Sequence, residues 1–294
     1  MNVSASVYPL YVIQKDPQPQ AQPLVKWAGG KRQLQLRILE IFPDFSGTYF
    51  EPFLGGAAIF FALKPEQAVL SDINAGLINL YLNVKKNYIE LHNACLKLES
   101  EFNNLDSDAK SEMFYRLRNA YNESERKGLD AAALFLFLNK AGFNGIYREN
   151  ASGGFNVPFG KKNSINLASL ENLEAASQAL QSAELNLVGY SQSVSSAQTG
   201  DLVYFDPPYV PLSITSAFTS YTKEGFGLTQ QEELANTFKE LDSRGVKVAL
   251  SNSKTDVIQD LYKGFNFHEL SATRQISAKT SGRSGVIEYL VTNF

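Results

Sequence analysis

The 294-residue chain has one cysteine, Cys95, and two histidines, His92 and His268. A single cysteine excludes an intramolecular disulfide framework and a multi-cysteine metal centre. The histidines are far apart and lack ligand spacing, so they read as structural or surface residues, and no metal is expected. No apolar run approaches the ~18 residues of a membrane span. The opening MNVSASVYPL has neither a charged leader nor a long apolar core, so no signal peptide is expected and a cytoplasmic location is the default. The net charge of -3 offers no bulk excess of positive charge. That weighs little against nucleic acid, because a local basic face suffices.

What is present suits a sizeable globular core. Hydrophobic residues make up 44% and charged residues 19%, an ordinary balance for one large domain or one domain with an insertion. Residues 1–22 carry QKDPQPQAQP, a Pro/Gln-rich stretch that reads as a flexible arm. TYFEPF (48–53), AVLSD (68–72), LNLVG (185–189), DLVYF (201–205), VKVALSN (246–252) and VIEYLVTNF (286–294) read as strands. Helical periodicity runs through 57–63, 74–101, 111–122, 131–143, 166–182 and 229–243, the last opening on a capping box, Thr229 with Glu232. Strands alternating with helices predict a doubly wound, mostly parallel α/β sheet. The helical middle interrupts that alternation and reads as an insertion. Within it, NGIYRENASGGFNVPFG (144–160) has the turn signals of a β-hairpin or ordered loop.

Four short stretches carry chemistry. EPFLGG (51–56) is a strand, a glycine pair and a helix, the approach geometry for a nucleotide in doubly wound folds or simply a tight turn. Asp72 closes the next strand. An acid about 20 residues past a glycine-rich turn accepts from ribose hydroxyls, and the alternative is a helix cap. Together they favour a ribose-bearing ligand. LVKWAGGKRQL (24–34) sets Lys26 and Lys31 around Gly29 and Gly30, beside the single tryptophan, Trp27. That set suits an anionic or aromatic ligand, or a surface turn with a packed indole. DLVYFDPPY (201–209) ends an apolar strand on Asp206, Pro207, Pro208 and Tyr209. The prolines cannot extend a ladder and leave carbonyls without backbone partners. A carboxylate, a rigid carbonyl and an aromatic face suit a planar group with an exocyclic amine.

KWAGGK (26–31), EPFLGG (51–56), SDIN (71–74) and DPPY (206–209), in this order, resemble the Dam-type DNA adenine-N6 methyltransferases of the alpha group, D12 class. FNGIYREN with GGFNVPFG (143–150, 153–160) resembles that family's recognition hairpin. The resemblance spans roughly 24–294 and implies a seven-stranded, Rossmann-like methyltransferase sheet formed by 23–75 and 166–294, with 76–165 as the inserted target-recognition domain. It implies S-adenosyl-L-methionine as cofactor, contacted by Trp27, Lys31, Asp72 and Asp206, with Gly29, Gly30 and Phe53 lining the pocket. Glu51 stands where the family often has Asp and keeps the charge. The substrate implied is double-stranded DNA, with adenine flipped out and its N6 amine held by Asp206 and the Pro207 carbonyl while Tyr209 stacks on the base. Phe143 and Asn144 match the intercalating position and its neighbour. Ile146, Arg148 and Pro158 match base-contacting positions, and Lys26 matches a lysine that touches another base. The site implied is GATC. For Arg148 the alternatives are a phosphate contact or an ion pair with Glu149. Lysines and arginines at 116, 118, 140, 161 and 162 are candidates for the basic face. FTSYTKEGF (218–226) is expected to form a loop near the target base. No membrane or metal partner is implied. A monomer and a cognate restriction endonuclease are both compatible. The rival readings are methylation of RNA adenine or a protein amide, and a DNA-binding protein without catalysis.

Overall fold

The computed structural model describes residues 20–210, 226–272 and 286–294. Most of the Pro/Gln-rich arm and the 218–226 stretch up to residue 225 lie outside the described residues. At 20–22 the chain is already docked: Ala21 is buried, and Asn172 exchanges hydrogen bonds with both backbone groups of Gln22.

One sheet of seven strands organises the molecule. In chain order the strands are β1 (Tyr49–Glu51), β2 (Ala68–Ser71), β3 (Ala183–Asn186), β4 (Leu202–Phe205), β5 (Lys247–Ser253), β6 (Asn266–Ala272) and β7 (Val286–Thr292). Their spatial order is β3-β2-β1-β4-β5-β7-β6. The first five are parallel, and β7 lies antiparallel to both β5 and β6. Every residue of β4 is buried. Tyr204 packs into the core on one face, and Val203 and Phe205 into the core on the other. An apolar run without alternation is what a strand covered on both faces requires.

β1, β2, β4, β5 and β7 form where the apolar runs predict them, and two strands depart from the expectation. β6 has no counterpart among the predicted strands. Its residues mix polar and apolar types because, among the described residues, it is an edge strand paired with β7 alone. β3 begins two residues before the expected 185–189, and Leu187, expected inside, is exposed. Its register is set by pairing with β2, Ala68 opposite Ala183.

The helices of the sheet layers are α1 (Gln35–Ile41), α2 (Ala58–Leu63), α6 (Leu170–Leu180), α7 (Tyr190–Ser193), α8 (Leu228–Ser243) and α9 (Asp256–Leu261). The expected capping box at Thr229 is not formed. α8 starts earlier, with the Gly227 amide donating to the Gln230 side chain at 2.9 Å. Between β2 and β3 lie α3 (Ala75–Asn103), α4 (Ser107–Glu123) and α5 (Gly128–Ala141). Asn74 caps α3 by accepting from the Leu77 amide, so the cap is not Asp72. After α5, residues 142–160 fold back as an ordered loop closed by two isolated bridges, Gly142 with Phe159 and Glu149 with Phe155, and not as a continuous hairpin ladder.

Candidate active site

Parallel strands put their carboxyl ends on one edge of the sheet. β1 and β4 are neighbours, and the chain departs from them in opposite directions across the sheet. This is the switch point at which open α/β sheets bind ligands. Glu51 ends β1, Asp72 follows β2 and Asp206 follows β4, so three carboxyl groups from separated segments stand at one edge of the sheet.

Lys31 joins this cluster from the amino-terminal turn. That turn is closed by the Gly30 amide donating to the Trp27 carbonyl at 3.1 Å. The Lys31 ammonium lies 2.7 Å from Asp206 Oδ1 and donates to the Gly29 carbonyl at 2.6 Å. It also sits 4.6 Å from the centre of the Tyr209 ring. Lys31 is buried, and the Asp206 side chain is 18% exposed. Burial raises the Asp206 pKa, and Lys31 opposes that shift. Tyr209 is tethered at its far end, donating to Glu288 Oε2 at 2.7 Å. KWAGGK and DPPY, distant in sequence, are therefore one site, joined where the ends of parallel strands share an edge.

Glu51 lies deeper. It accepts from the Tyr49 hydroxyl at 2.8 Å and is almost fully buried. Burial pushes its pKa from 4.5 up to about 8, with the Tyr49 bond opposing and the Asp206 charge reinforcing. The folded protein therefore holds this proton in a range where the unfolded chain has lost it. Its contribution favours folding fully below pH 4.5 and is lost as pH rises through about 8. Glu51→Gln keeps the shape without the titration. Thermal melts of variant and parent across pH 5 to 9 are expected to converge at the acid end and to diverge in favour of the variant toward about pH 9. A gap that does not change with pH would remove Glu51 from that role.

The glycine turn after β1 is built against the indole. Gly55 has φ +46°, and a Cβ there would come within 2.7 Å of Trp27 Cδ1. Only glycine allows this approach. Trp27 in turn stacks on Tyr147, with ring centres 5.3 Å apart. Asp72 braces the turn, accepting from the Gly55 amide at 3.1 Å and the Asn74 amide at 2.9 Å. Burial raises its pKa against those bonds. Phe53 is half-buried and stacks on Tyr190 at 5.4 Å. Trp27, Lys31, Asp72 and Asp206 are thus brought to one edge, with Gly29, Gly30 and Phe53 beside them.

The 142–160 loop presents the other set. Phe155 and Val157 point into the core, and Asn122 of α4 holds both backbone groups of Phe155. Elsewhere on the loop Phe143, Asn144, Arg148 and Pro158 are exposed, and Ile146 is half-buried. Phe143 is an apolar residue left 51% exposed, and its amide donates to the Pro158 carbonyl. Glu149, the local candidate for pairing with Arg148, is taken by Arg126, at 2.6 Å. Arg148 instead donates through Nε to Asn156 Oδ1 at 2.7 Å. Lys26 is exposed, while its backbone is clamped by the buried Asn139, which also donates to the Gly145 carbonyl. One side chain thus fixes the 142–160 loop to the KWAGGK turn. Gly145 lies at φ +65°, the left-handed region that favours glycine. Of the basic candidates, Arg116 is paired with Glu101 and Arg118 donates to the Val157 carbonyl. Lys26, Lys140 and Lys162 line a common cavity of about 210 Å³.

Sequence reasoning missed Glu288, Gln231, Asn252, Asn139 and Tyr190. Glu288 and Asn139 did carry a signal. Glu288 interrupts an apolar strand and Asn139 ends the apolar run 131–138 of its helix, and a polar group in such a place needs a partner when buried.

A seven-stranded sheet in this order, with its site at the β1/β4 switch, is a Rossmann-like methyltransferase fold. Comparison with known proteins specifies the class. Residues 27–276 match the family described as D12 class N6 adenine-specific DNA methyltransferase. The type II methyltransferase M1.LlaDCHI of Lactococcus lactis subsp. cremoris is 41% identical over 278 residues, 93% of this chain and 95% of that protein. The type II methyltransferase M.MjaIII of Methanocaldococcus jannaschii is 36% identical, covering 94% of this chain and all of that one. A DNA adenine methylase of Vibrio cholerae is 36% identical, covering 90% and 94%. The chain belongs to the D12 class of N6 adenine-specific DNA methyltransferases.

Proposed function

We propose that the protein methylates adenine N6 within GATC in double-stranded DNA, on a base flipped out of the duplex. The observation that carries this reading is the convergence of Asp206, Lys31 and Tyr209 at the β1/β4 switch beside the Asp72-braced glycine turn. N6 is shielded inside the stack, so the base must leave it to meet a methyl donor.

The residues fit S-adenosylmethionine. Asp72 commits carboxylate oxygens to the Gly55 and Asn74 amides, with the Ile73 amide also favouring its charge, and a carboxylate has about four acceptor sites, so capacity remains for a ribose hydroxyl. Lys31 has a third donor beyond Asp206 and Gly29. Trp27, Gly29, Gly30 and Phe53 form the surrounding wall. S-adenosylmethionine, when bound, supplies the methyl group on a sulfonium leaving group. Asp206 and the Pro207 carbonyl accept from the N6 amine and orient its lone pair, and Tyr209 supports the base plane. Catalysis is then positioning and electrostatics, with no covalent enzyme intermediate.

Residues 76–165 act as the recognition unit, with 23–75 and 166–294 as the catalytic domain. Phe143 enters the stack, Asn144 attends the vacated position, and Ile146, Arg148, Pro158 and Lys26 read bases. The lysine cavity suits backbone phosphates. The test is expression in a host free of DNA methylation, followed by sequencing of modified bases. N6-methyladenine confined to GATC is the expected result. Unmodified DNA, with label from S-adenosylmethionine appearing in RNA or protein, would sink the reading.

A further inference from the structure

The two carbonyls of Pro207 and Pro208 are not equivalent. The Pro208 carbonyl accepts from Gln231 Nε2 of α8 at 2.8 Å. Among the described residues, no donor takes the Pro207 carbonyl. Gln231 is itself held, its Oε1 accepting from Asn252 Nδ2 of β5 at 3.1 Å. Asn252 Oδ1 accepts from the Val210 amide at 3.2 Å and the Ser253 amide at 2.8 Å. Ser253 donates its hydroxyl to the Val210 carbonyl at 2.6 Å. Gln231, Asn252 and Ser253 are all buried.

This network has one orientation. Two backbone amides fix Asn252 with its oxygen toward Val210, so its nitrogen must face Gln231. The oxygen of Gln231 is then committed, and its nitrogen must face Pro208. Both prolines lack an N–H, so the chain at 207–208 can be held only through a carbonyl. Successive carbonyls in extended backbone point to different sides. Holding the second therefore turns the first away from α8.

We propose that Gln231 and Asn252 are positioning residues, which secure the Pro208 carbonyl and the Val210 amide and so aim the Pro207 carbonyl and Asp206 at the reacting amine. The inference rests on the roles given above to Asp206 and Pro207. Neither Gln231 nor Asn252 is assigned to substrate or cofactor.

Two variants separate aim from integrity. Gln231→Met keeps the length and loses both bonds. Gln231→Glu still accepts from Asn252 but cannot donate as a carboxylate. Single-turnover transfer of labelled methyl from S-adenosylmethionine to genomic DNA of a methylation-free host is measured with Asp206→Asn alongside. Each folded Gln231 variant is expected to lose at least about tenfold in single-turnover rate, because small misplacements of reacting groups are costly. Cofactor and duplex affinities should stay within about twofold of the parent. A parental rate in either folded variant, beside an inactive Asp206→Asn, overturns the inference and leaves the proposed function standing. A fall in rate matched by an equal fall in cofactor affinity also overturns it. Full activity in Asp206→Asn overturns both.

Discussion

Asp206→Asn is expected to lower single-turnover methyl transfer by at least about a hundredfold, in the range seen when one preorganised polar group is removed from an active site. Duplex binding should persist, because the 142–160 loop proposed to read the duplex is anchored by Asn122 and Asn139 and not by Asp206. Asparagine is the informative replacement. Alanine would leave Lys31 as a buried cation without its counter-charge, and breaking a buried pair by removing one partner costs about 3–5 kcal/mol. Asparagine retains an oxygen for Lys31 and nearly the same volume. Its amide nitrogen, however, turns a donor toward a substrate amine that needs an acceptor. The chemical step fails while the scaffold survives. Rapid quenching with labelled S-adenosylmethionine reads the first, and thermal unfolding with a duplex-binding titration reads the second. A single-turnover rate within about threefold of the parent would show that Asp206 does not orient the amine.

The site separates what a sequence can reveal from what it hides. β1, β2, β4, β5 and β7 were legible because strands with buried faces must be apolar, and each is bounded by turn residues or an acid. The chemical choices at the strand ends were legible for a related reason. Glycine at Gly55, acids at strand ends and paired prolines are choices that backbone geometry and desolvation punish elsewhere. What stayed hidden was tertiary pairing. Gln231 lies on an amphipathic helix among other polar residues, and nothing local distinguishes it from a solvated glutamine. It is buried because the Pro208 carbonyl and Asn252 meet it there. The same holds for Arg148. Its neighbour Glu149 was the local candidate, but the loop turns that side chain toward Arg126 and leaves Arg148 to Asn156. The edge strand β6 escaped because a strand with one neighbour need not be apolar.

The bond from Arg148 to Asn156 sets up the second large effect. Asn156 takes Nε through Oδ1 at 2.7 Å and Nη2 through its carbonyl at 3.4 Å, so one edge of the guanidinium is steadied on an exposed loop. The remaining N–H groups of Nη1 and Nη2 are a fork of the kind that matches guanine O6 and N7. Arg148→Ala is expected to cost about 1–3 kcal/mol against the preferred site, roughly a five- to 150-fold fall in kcat/KM, and to relax discrimination at one base pair. The sign of that relaxation is the test. If Arg148 reads a base, the variant loses activity on the preferred duplex and much less on the duplex changed at that pair. If Arg148 only meets a phosphate, both duplexes lose equally and the salt dependence of binding becomes shallower. Lys140→Ala supplies the comparison within the same molecule, since its ammonium lines the lysine cavity and carries no fork. It should weaken all duplexes alike. Steady-state competition between the preferred duplex and its single-pair variants, repeated at two salt concentrations, distinguishes the outcomes. Asn156→Ala should follow Arg148→Ala in direction and fall short of it in size, because it frees the stem and leaves the fork in place.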